Sequence, residues 1–259
     1  MPGAAQLVLR SAQRAGAGLV TLAVFHADVV KSVCSAAPEA TYLDLSRSRD
    51  LFADRLPREI ELHPHDVRLA GPGLGLGGRT RALVQALIQA SFAGPLVLDA
   101  DALSVFAGSP AELAEYRGPL IITPHPGEAA RLLGRDIPSD DEGREMAARE
   151  LAQVCGAICV LKGAGTVVTD GETLFRNGTG NVGMATAGSG DVLAGILAAY
   201  LCCFCETFTP LDAACAAVFA HGLAGDLAMD AKGCRGVVAS DLIDFLPAAQ
   251  QAHLEGARG

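Results

Sequence analysis

The chain has 259 residues, with 20 Lys plus Arg against 29 Asp plus Glu and a formal net charge of −9. That length is enough to bury a large core, and a composition that is 50% hydrophobic and 19% charged excludes long-range disorder. The acidic balance excludes a general nucleic-acid binder, which needs a basic footprint for phosphates, but leaves room for one basic pocket around a small anion.

Met1 to Arg10 lack the charged start and apolar core of a signal peptide. The longest apolar stretch, Val192 to Cys205, is short of the roughly 20 residues that span a bilayer, so it reads as a buried helix. Eight cysteines without a secretory signal predict reduced thiols and a cytoplasmic protein. Cys202, Cys203 and Cys205 lack CxxC spacing and a nearby His, and are expected to be core residues rather than a metal site.

No repeat, low-complexity tract or interdomain linker interrupts the chain. In order, Ala4 to Ala15 reads as a helix closed by Gly16, and Leu19 to Phe25 as a strand. Val67 to Ala70 is a short strand running into Gly71-Pro72-Gly73-Leu74-Gly75, and a helix follows from about Thr80 to Ala90. Leu96 to Leu98 is a strand ending in Asp99-Ala100-Asp101, and Leu120 to Ile122 one ending in Thr123-Pro124-His125-Pro126-Gly127-Glu128. Ser139 and Glu142 form a capping-box pattern for a helix reaching Cys155 and stopped by Gly156. Ile158 to Leu161 is a strand that leads into Lys162-Gly163-Ala164-Gly165-Thr166. Asp170-Gly171 marks a hairpin between Val167-Val168 and Leu174-Phe175.

Short apolar strands alternating with helices predict an α/β fold with a mostly parallel sheet covered on both faces. Four polar or glycine-rich clusters each follow a strand directly. Ligands of open α/β sheets bind at the carboxyl ends of the strands, so these distant segments are expected to meet in one site.

Asn181 to Asp191 is the strongest local signal: small residues leading into an apolar helix, whose free amides and dipole make an anion site. No GK[ST] follows, so it is not a Walker loop. Asp191 has two readings: a favourable charge in the first turn of the helix, or a base for an attacking hydroxyl beside amides that hold developing charge. Lys162 suits a phosphate or is a surface lysine at a strand end. Asp99 and Asp101, two apart on an extended chain, would share a face; a metal or substrate role and turn chemistry both remain open. His26, His63, His65 and His253 sit in polar surroundings and read as surface residues, whereas His221 in an apolar helix reads as a satisfied core histidine.

The run Asn181 to Gly195 resembles the NxGMAxGGxGDVLAG signature of ADP/ATP-dependent NAD(P)H-hydrate dehydratases, in the ribokinase-like superfamily. The clusters after the strands match the same family in the same order. So do Pro2-Gly3-Ala4-Ala5, Arg14 to Val20 and His221 to Asp226. Ala187 and Ser189 stand where the family usually has Gly and Thr or Met. The family also has a strand and a GGS-type turn before its PGAA segment. With this chain opening at Met1, the expected fold is a single ribokinase-like α/β/α sandwich over residues 1–259 that lacks that first strand and has no epimerase domain.

The resemblance implies repair of the S-form of hydrated NADH and NADPH, by phosphorylation of the ring hydroxyl and elimination of phosphate. It implies ADP or ATP as co-substrate, Mg²⁺, a functional link to an NAD(P)H-hydrate epimerase, and a homo-oligomer, a tetramer being favoured. By motif matching, Asp191 is the catalytic base and also contacts the hydrated nicotinamide, as Ala4, Gly73 and His125 do. Lys162, Gly163, Ala164, Gly165 and Thr166, with Gly188, Ser189 and Gly190, bind the nucleotide. Glu128 holds Mg²⁺ through water, or is simply a favourable charge at a helix start. The alternatives are a vitamin-precursor kinase of the same superfamily, such as a hydroxyethylthiazole or hydroxymethylpyrimidine kinase, and a nucleotide-binding protein without turnover.

Overall fold

The computed structural model describes residues 1–46, 48, 57–203 and 208–256, without the side chains of 253–256. Helix α1 (Pro2–Arg14) leads into β1 (Thr21–Val24), α2 (Ala27–Val33) and β2 (Thr41–Asp44). After α3 (Arg58–Leu62) come β3 (Arg68–Ala70), α4 (Gly78–Gln89), β4 (Leu96–Leu98), α5 (Asp101–Ser104) and β5 (Leu120–Ile122). Then follow α6 (Pro126–Leu133), α7 (Asp141–Cys155), β6 (Ile158–Leu161), β7 (Val167–Thr169) and β8 (Leu174–Arg176). Helices α8 (Ser189–Leu201), α9 (Pro210–Lys232) and α10 (Ala239–Gly256) close the chain.

Strands β3 to β8 form one sheet in chain order, parallel from β3 to β6 and antiparallel from β6 to β8. The strands are apolar on both sides because both faces are covered. Leu96, Leu98, Leu120, Ile122, Cys159 and Leu161 pack with α4, α5, α6 and α7. The alternate positions, Val97, Ile121, Val160 and Val168, pack with α8, α9 and α10. This period of two builds the three-layer α/β/α sandwich. Strands β1 and β2 make a separate parallel pair, Thr21 opposite Thr41 through Val24 opposite Asp44. No ladder joins β1 to β3 among the described residues. A cavity of about 360 Å³ lies between them.

Helix α1 crosses α8 closely because Gly195 has no side chain. A Cβ there would lie 2.0 Å from Ser11 Oγ and 2.4 Å from the Val8 carbonyl oxygen. Gly195→Ala is therefore expected to cost about 1–3 kcal/mol, read as a lower denaturation midpoint with an unchanged slope.

Several expectations need correction. Helix α7 is capped by Asp140, whose side chain accepts from Gly143 N at 2.7 Å, rather than by Ser139; the neighbouring carboxylate wins that amide. Cys202 and Cys203 are exposed, since they lie in the turn after α8 ends at Leu201; Cys205 falls outside the described residues. His63 and His65 are half-buried, His65 against the Phe92 ring, and the side chain of His253 is not described. Helix α9 is long and apolar enough to cross a membrane by length and composition, but 56% of its most apolar stretch is buried in the fold.

Candidate functional site

The chain order of a parallel sheet brings the segments after β3, β4, β5 and β6 to one rim. The glycine loop after β3 is pinned by Asp101, which accepts from Gly75 N at 2.7 Å. Gly71, at φ 136°, passes so close to β4 that a Cβ would sit 1.7 Å from the Asp99 carbonyl oxygen. Ala100 takes a positive φ of 50°, which breaks the extended chain. Asp99 and Asp101 therefore do not share a face, as the sequence spacing had implied. Asp99 turns inward, 1% exposed, and Asp101 opens α5.

Asp99 is the centre of a buried polar cluster. Its Oδ1 accepts from Thr123 Oγ1 at 2.6 Å and from Lys162 Nζ at 2.6 Å. Lys162 Nζ also lies 3.9 Å from Glu128 Oε2. The backbone helps to aim it, since Lys162 N donates to Pro124 O at 2.9 Å and ties the β6 loop to the β5 loop. Across the rim, Lys162 reaches the start of α8, where a Cβ on Gly190 would lie 3.4 Å from Nζ.

Asp191 stands in the first turn of α8, partly buried. Gly188, in a left-handed conformation, occupies the cap position, and no side chain caps this helix. Burial raises the Asp191 pKa above its ordinary value, and Asp99 adds to the rise, while Lys162 and the Met1 ammonium oppose it. An acid held near a cation, a helix start and an amide-rich loop suits proton abstraction from a hydroxyl that attacks phosphorus.

His125 and Glu128 form a reciprocal cap on α6. His125 Nδ1 accepts from Gly127 N at 3.0 Å and Glu128 N at 3.3 Å, while Glu128 Oε2 accepts from His125 N at 2.8 Å. His125 is thereby held with Nδ1 unprotonated and its half-exposed ring at the rim. Ala4 is buried in the first turn of α1, and the Gly73 carbonyl accepts from the Met1 ammonium at 2.7 Å. Next to them a cavity of about 370 Å³ opens, lined by Met1, Phe25, Gly73 and Leu76. The Gly163 to Thr166 loop is fastened by Arg144, whose Nη1 donates to Ala164 O at 2.5 Å. Among the described residues no three His, Cys, Asp or Glu side chains are grouped as a metal cage.

Two side chains of α9 support the glycine-rich segment: Asp226, which the sequence reading gave no role of its own, and His221, the satisfied core histidine expected from sequence. Asp226 accepts from Gly180 N and from Asn181 Nδ2, both at 2.8 Å. His221, 8% exposed, is 3.0 Å from the Ser189 carbonyl oxygen through Nε2, which makes that nitrogen the donor. The spacing of His221 and Asp226 on one helix was the available signal. Burial pushes the His221 pKa down to about 4 from 6.5. Its neutral form therefore adds stability that is complete above about pH 6.5 and is lost as pH falls towards about 4. Denaturant unfolding across that range is expected to show a steeper acid loss in the native chain than in His221→Gln, which keeps a donor without the titration.

A family model described as NAD(P)H-hydrate dehydratase matches residues 1–248. The chain is 41% identical over 256 residues to the bifunctional NAD(P)H-hydrate repair enzyme of Moorella thermoacetica, covering 95% of this chain and 46% of that protein. It is 35% identical to the ADP-dependent (S)-NAD(P)H-hydrate dehydratase of Neisseria meningitidis, over 93% of this chain and 78% of that one. The chain spans about half the length of the bifunctional relatives it matches. The ADP/ATP-dependent NAD(P)H-hydrate dehydratase of Bacillus subtilis, crystallised with ATP and Mg²⁺, superposes with a TM-score of 0.82 at 30% identity, over 97% of this chain and 85% of that chain.

Proposed function

The chain belongs to the NAD(P)H-hydrate dehydratase family, and from that premise we propose that it restores the S-form of hydrated NADH and NADPH to the reduced cofactors at the expense of ADP or ATP. The observation that carries this reading is that Lys162 reaches the first turn of α8, its Nζ 3.4 Å from a Cβ placed on Gly190, beside Asp191, whose pKa burial raises.

Water lost directly from the hydrate would leave as hydroxide, a poor leaving group. Phosphorylation solves that problem. Asp191 takes the proton of the ring hydroxyl as its oxygen attacks the terminal phosphorus of the nucleotide. The bond to the nucleotide breaks, giving AMP from ADP. Phosphate then leaves the ring carbon, driven by the ring nitrogen lone pair, and loss of a ring proton restores the double bond.

The amides of Gly188, Ser189 and Gly190 at the helix start receive the transferring phosphoryl group, and Lys162 balances its charge. Gly163, Ala164, Gly165 and Thr166 line the nucleotide, while Ala4, Gly73 and His125 border the hydrated ring. Mg²⁺ fits as a hydrated ion beside Glu128, because two carboxylates, Asp99 and Glu128, face one ammonium there; such ions are usually held by one or two carboxylates with water and phosphate. When bound it would neutralise phosphoryl charge. Cytoplasmic location, a functional link to an epimerase and a homo-oligomer, a tetramer being favoured, belong to the same proposal.

Hydrated NADH mixed with the purified chain, Mg²⁺ and ADP, then ATP, is expected to regain the absorbance of the reduced nicotinamide, with release of phosphate. A rate equal to the enzyme-free control with both nucleotides would refute the assignment.

A further inference from the structure

His221 to Asp226 lies in the middle of α9 rather than at a strand end. Residues four apart on a helix share a face, so His221 stacks with Gly225, and Gly222 with Asp226. The loop from Asn177 to Gly188 is laid along that face. It ends at the amides that receive phosphate in the proposed reaction.

Two glycines let the loop come so close. A Cβ on Gly222 would lie 2.2 Å from Thr179 Oγ1, and one on Gly225 would lie 2.2 Å from Met184 Sδ. The polar groups of the loop are matched to the helix as well. Asn177, 6% exposed, donates through Nδ2 to the Val218 carbonyl at 3.4 Å, and Thr179 Oγ1 lies 3.0 Å from the Phe219 carbonyl oxygen.

Asp226 uses both carboxylate oxygens. Oδ2 accepts from Gly180 N and Oδ1 from Asn181 Nδ2, and Asn181 Oδ1 accepts in turn from Gly183 N at 2.9 Å. These three bonds fix the entry into the single turn Val182–Met184, whose methionine is the one seated at Gly225. Only Ala185, Thr186, Ala187 and Gly188 remain before α8, where His221 Nε2 donates to Ser189 O at 3.0 Å. Ser189 N donates back to Thr186 O at 3.3 Å. One helix therefore holds the loop at both ends, and a shift at Asn181 is passed through a short bonded span to Gly188.

We propose that Asp226 is a positioning residue for phosphoryl transfer. It touches neither nucleotide nor hydrated ring. Through Gly180, Asn181 and Gly183 it sets where the amides of Gly188, Ser189 and Gly190 stand relative to Asp191. The reaction itself rests on the dehydratase reading. Such amides act only when aimed where charge develops, and a displacement of about 1 Å can cost about 10²-fold in rate.

The test exchanges the two bonded partners in the full chain. Asp226→Asn strands one donor, because the new amide N–H must face either Gly180 N or Asn181 Nδ2. Asn181→Asp sets two carboxylates against each other. The double variant keeps all three bonds and the net charge: the amide at 226 donates to the carboxylate at 181 and accepts from Gly180 N, and that carboxylate still accepts from Gly183 N. Assayed well below its melting temperature, each single variant is expected to lose about 10–10²-fold in kcat with ADP, while KM for hydrated NADH stays within about threefold. The double variant should return most of the lost kcat. In Asp226→Asn, amide exchange should quicken at Ser189 as well as at Gly183. Folded single variants that turn over like the native chain would overturn the proposal, as would a double variant as slow as the single ones, or faster exchange confined to Gly180 and Gly183. A native chain that leaves hydrated NADH unchanged would instead sink the dehydratase reading, and exchange at Ser189 would still decide whether Asp226 governs the loop.

Discussion

Asp191→Asn is expected to lower the turnover of hydrated NADH by about 10²–10⁴-fold, the usual worth of a positioned base, while ADP affinity measured by calorimetry stays within a few-fold. The amides of Gly188 to Gly190 and the Lys162 ammonium, which grip phosphate in this account, are unchanged by the substitution. What disappears is the group that accepts the hydroxyl proton. Burial first, and Asp99 second, hold the Asp191 pKa above its ordinary value. The base must be ionised to act, so kcat/KM of the native enzyme should fall on the acid side at a higher pH than an ordinary carboxylate would give.

The sign for stability is opposite. A carboxyl whose pKa is raised on folding prefers to be neutral in the native state, so its charge works against folding at neutral pH. Asp191→Asn should therefore melt no lower than the native chain at pH 7. Had Asp191 served only to stabilise the helix start, the asparagine variant would keep its turnover and lose stability. A denaturation midpoint and a rate together separate these outcomes.

Lys162→Met is expected to destabilise the fold by about 3–5 kcal/mol, because it leaves Asp99 as an uncompensated charge in the interior. Asp99 is 1% exposed, and its remaining side-chain partner is the Thr123 hydroxyl. At roughly 2–4 °C per kcal/mol for a chain of this size, the melting temperature should drop by about 6–20 °C. Adding Asp99→Asn to the same protein removes the stranded charge and should recover most of that loss. Neither variant should grip the nucleotide phosphates as the native chain does, so recovery of stability without recovery of ADP affinity is the expected pattern. Equal instability of the single and double variants would mean that packing of the lysine stem, rather than charge, holds this part of the rim.

The central strands were legible because burial on two faces leaves little choice of residue: Leu96 to Leu98 and Leu120 to Ile122 match their strands end to end. The helix stops at Gly16 and Gly156 were equally readable from glycine's access to positive φ. Strand β2 was not read, since Thr41-Tyr42-Leu43-Asp44 carries no apolar run and its end residues are exposed. The cap of α7 was misplaced by one residue because Ser139 and Asp140 are both good caps, and only geometry decides which reaches Gly143 N.

At the site, sequence order and strand ends placed Lys162, Asp191 and the two glycine-rich loops on a common rim. The pairing of Asp99 with Lys162 could not be read, because it depends on the positive φ of Ala100, an uncommon conformation for a residue with a side chain. His125 and Glu128 show the same limit: the resemblance implied substrate and Mg²⁺ roles for them, with a helix-start charge as the other reading of Glu128, and the structure engages both in the cap of α6.

In the proposed reaction the start of α8 and the loop after β6 grip one nucleotide beside Asp191. Amide chemical shifts recorded while ADP and Mg²⁺ are titrated into the labelled chain test it most directly. The largest changes are expected at Ser189, Gly190, Gly163 and Gly165, saturating together with one affinity. Saturable ADP binding that leaves those four amides unmoved and shifts another part of the chain would contradict it.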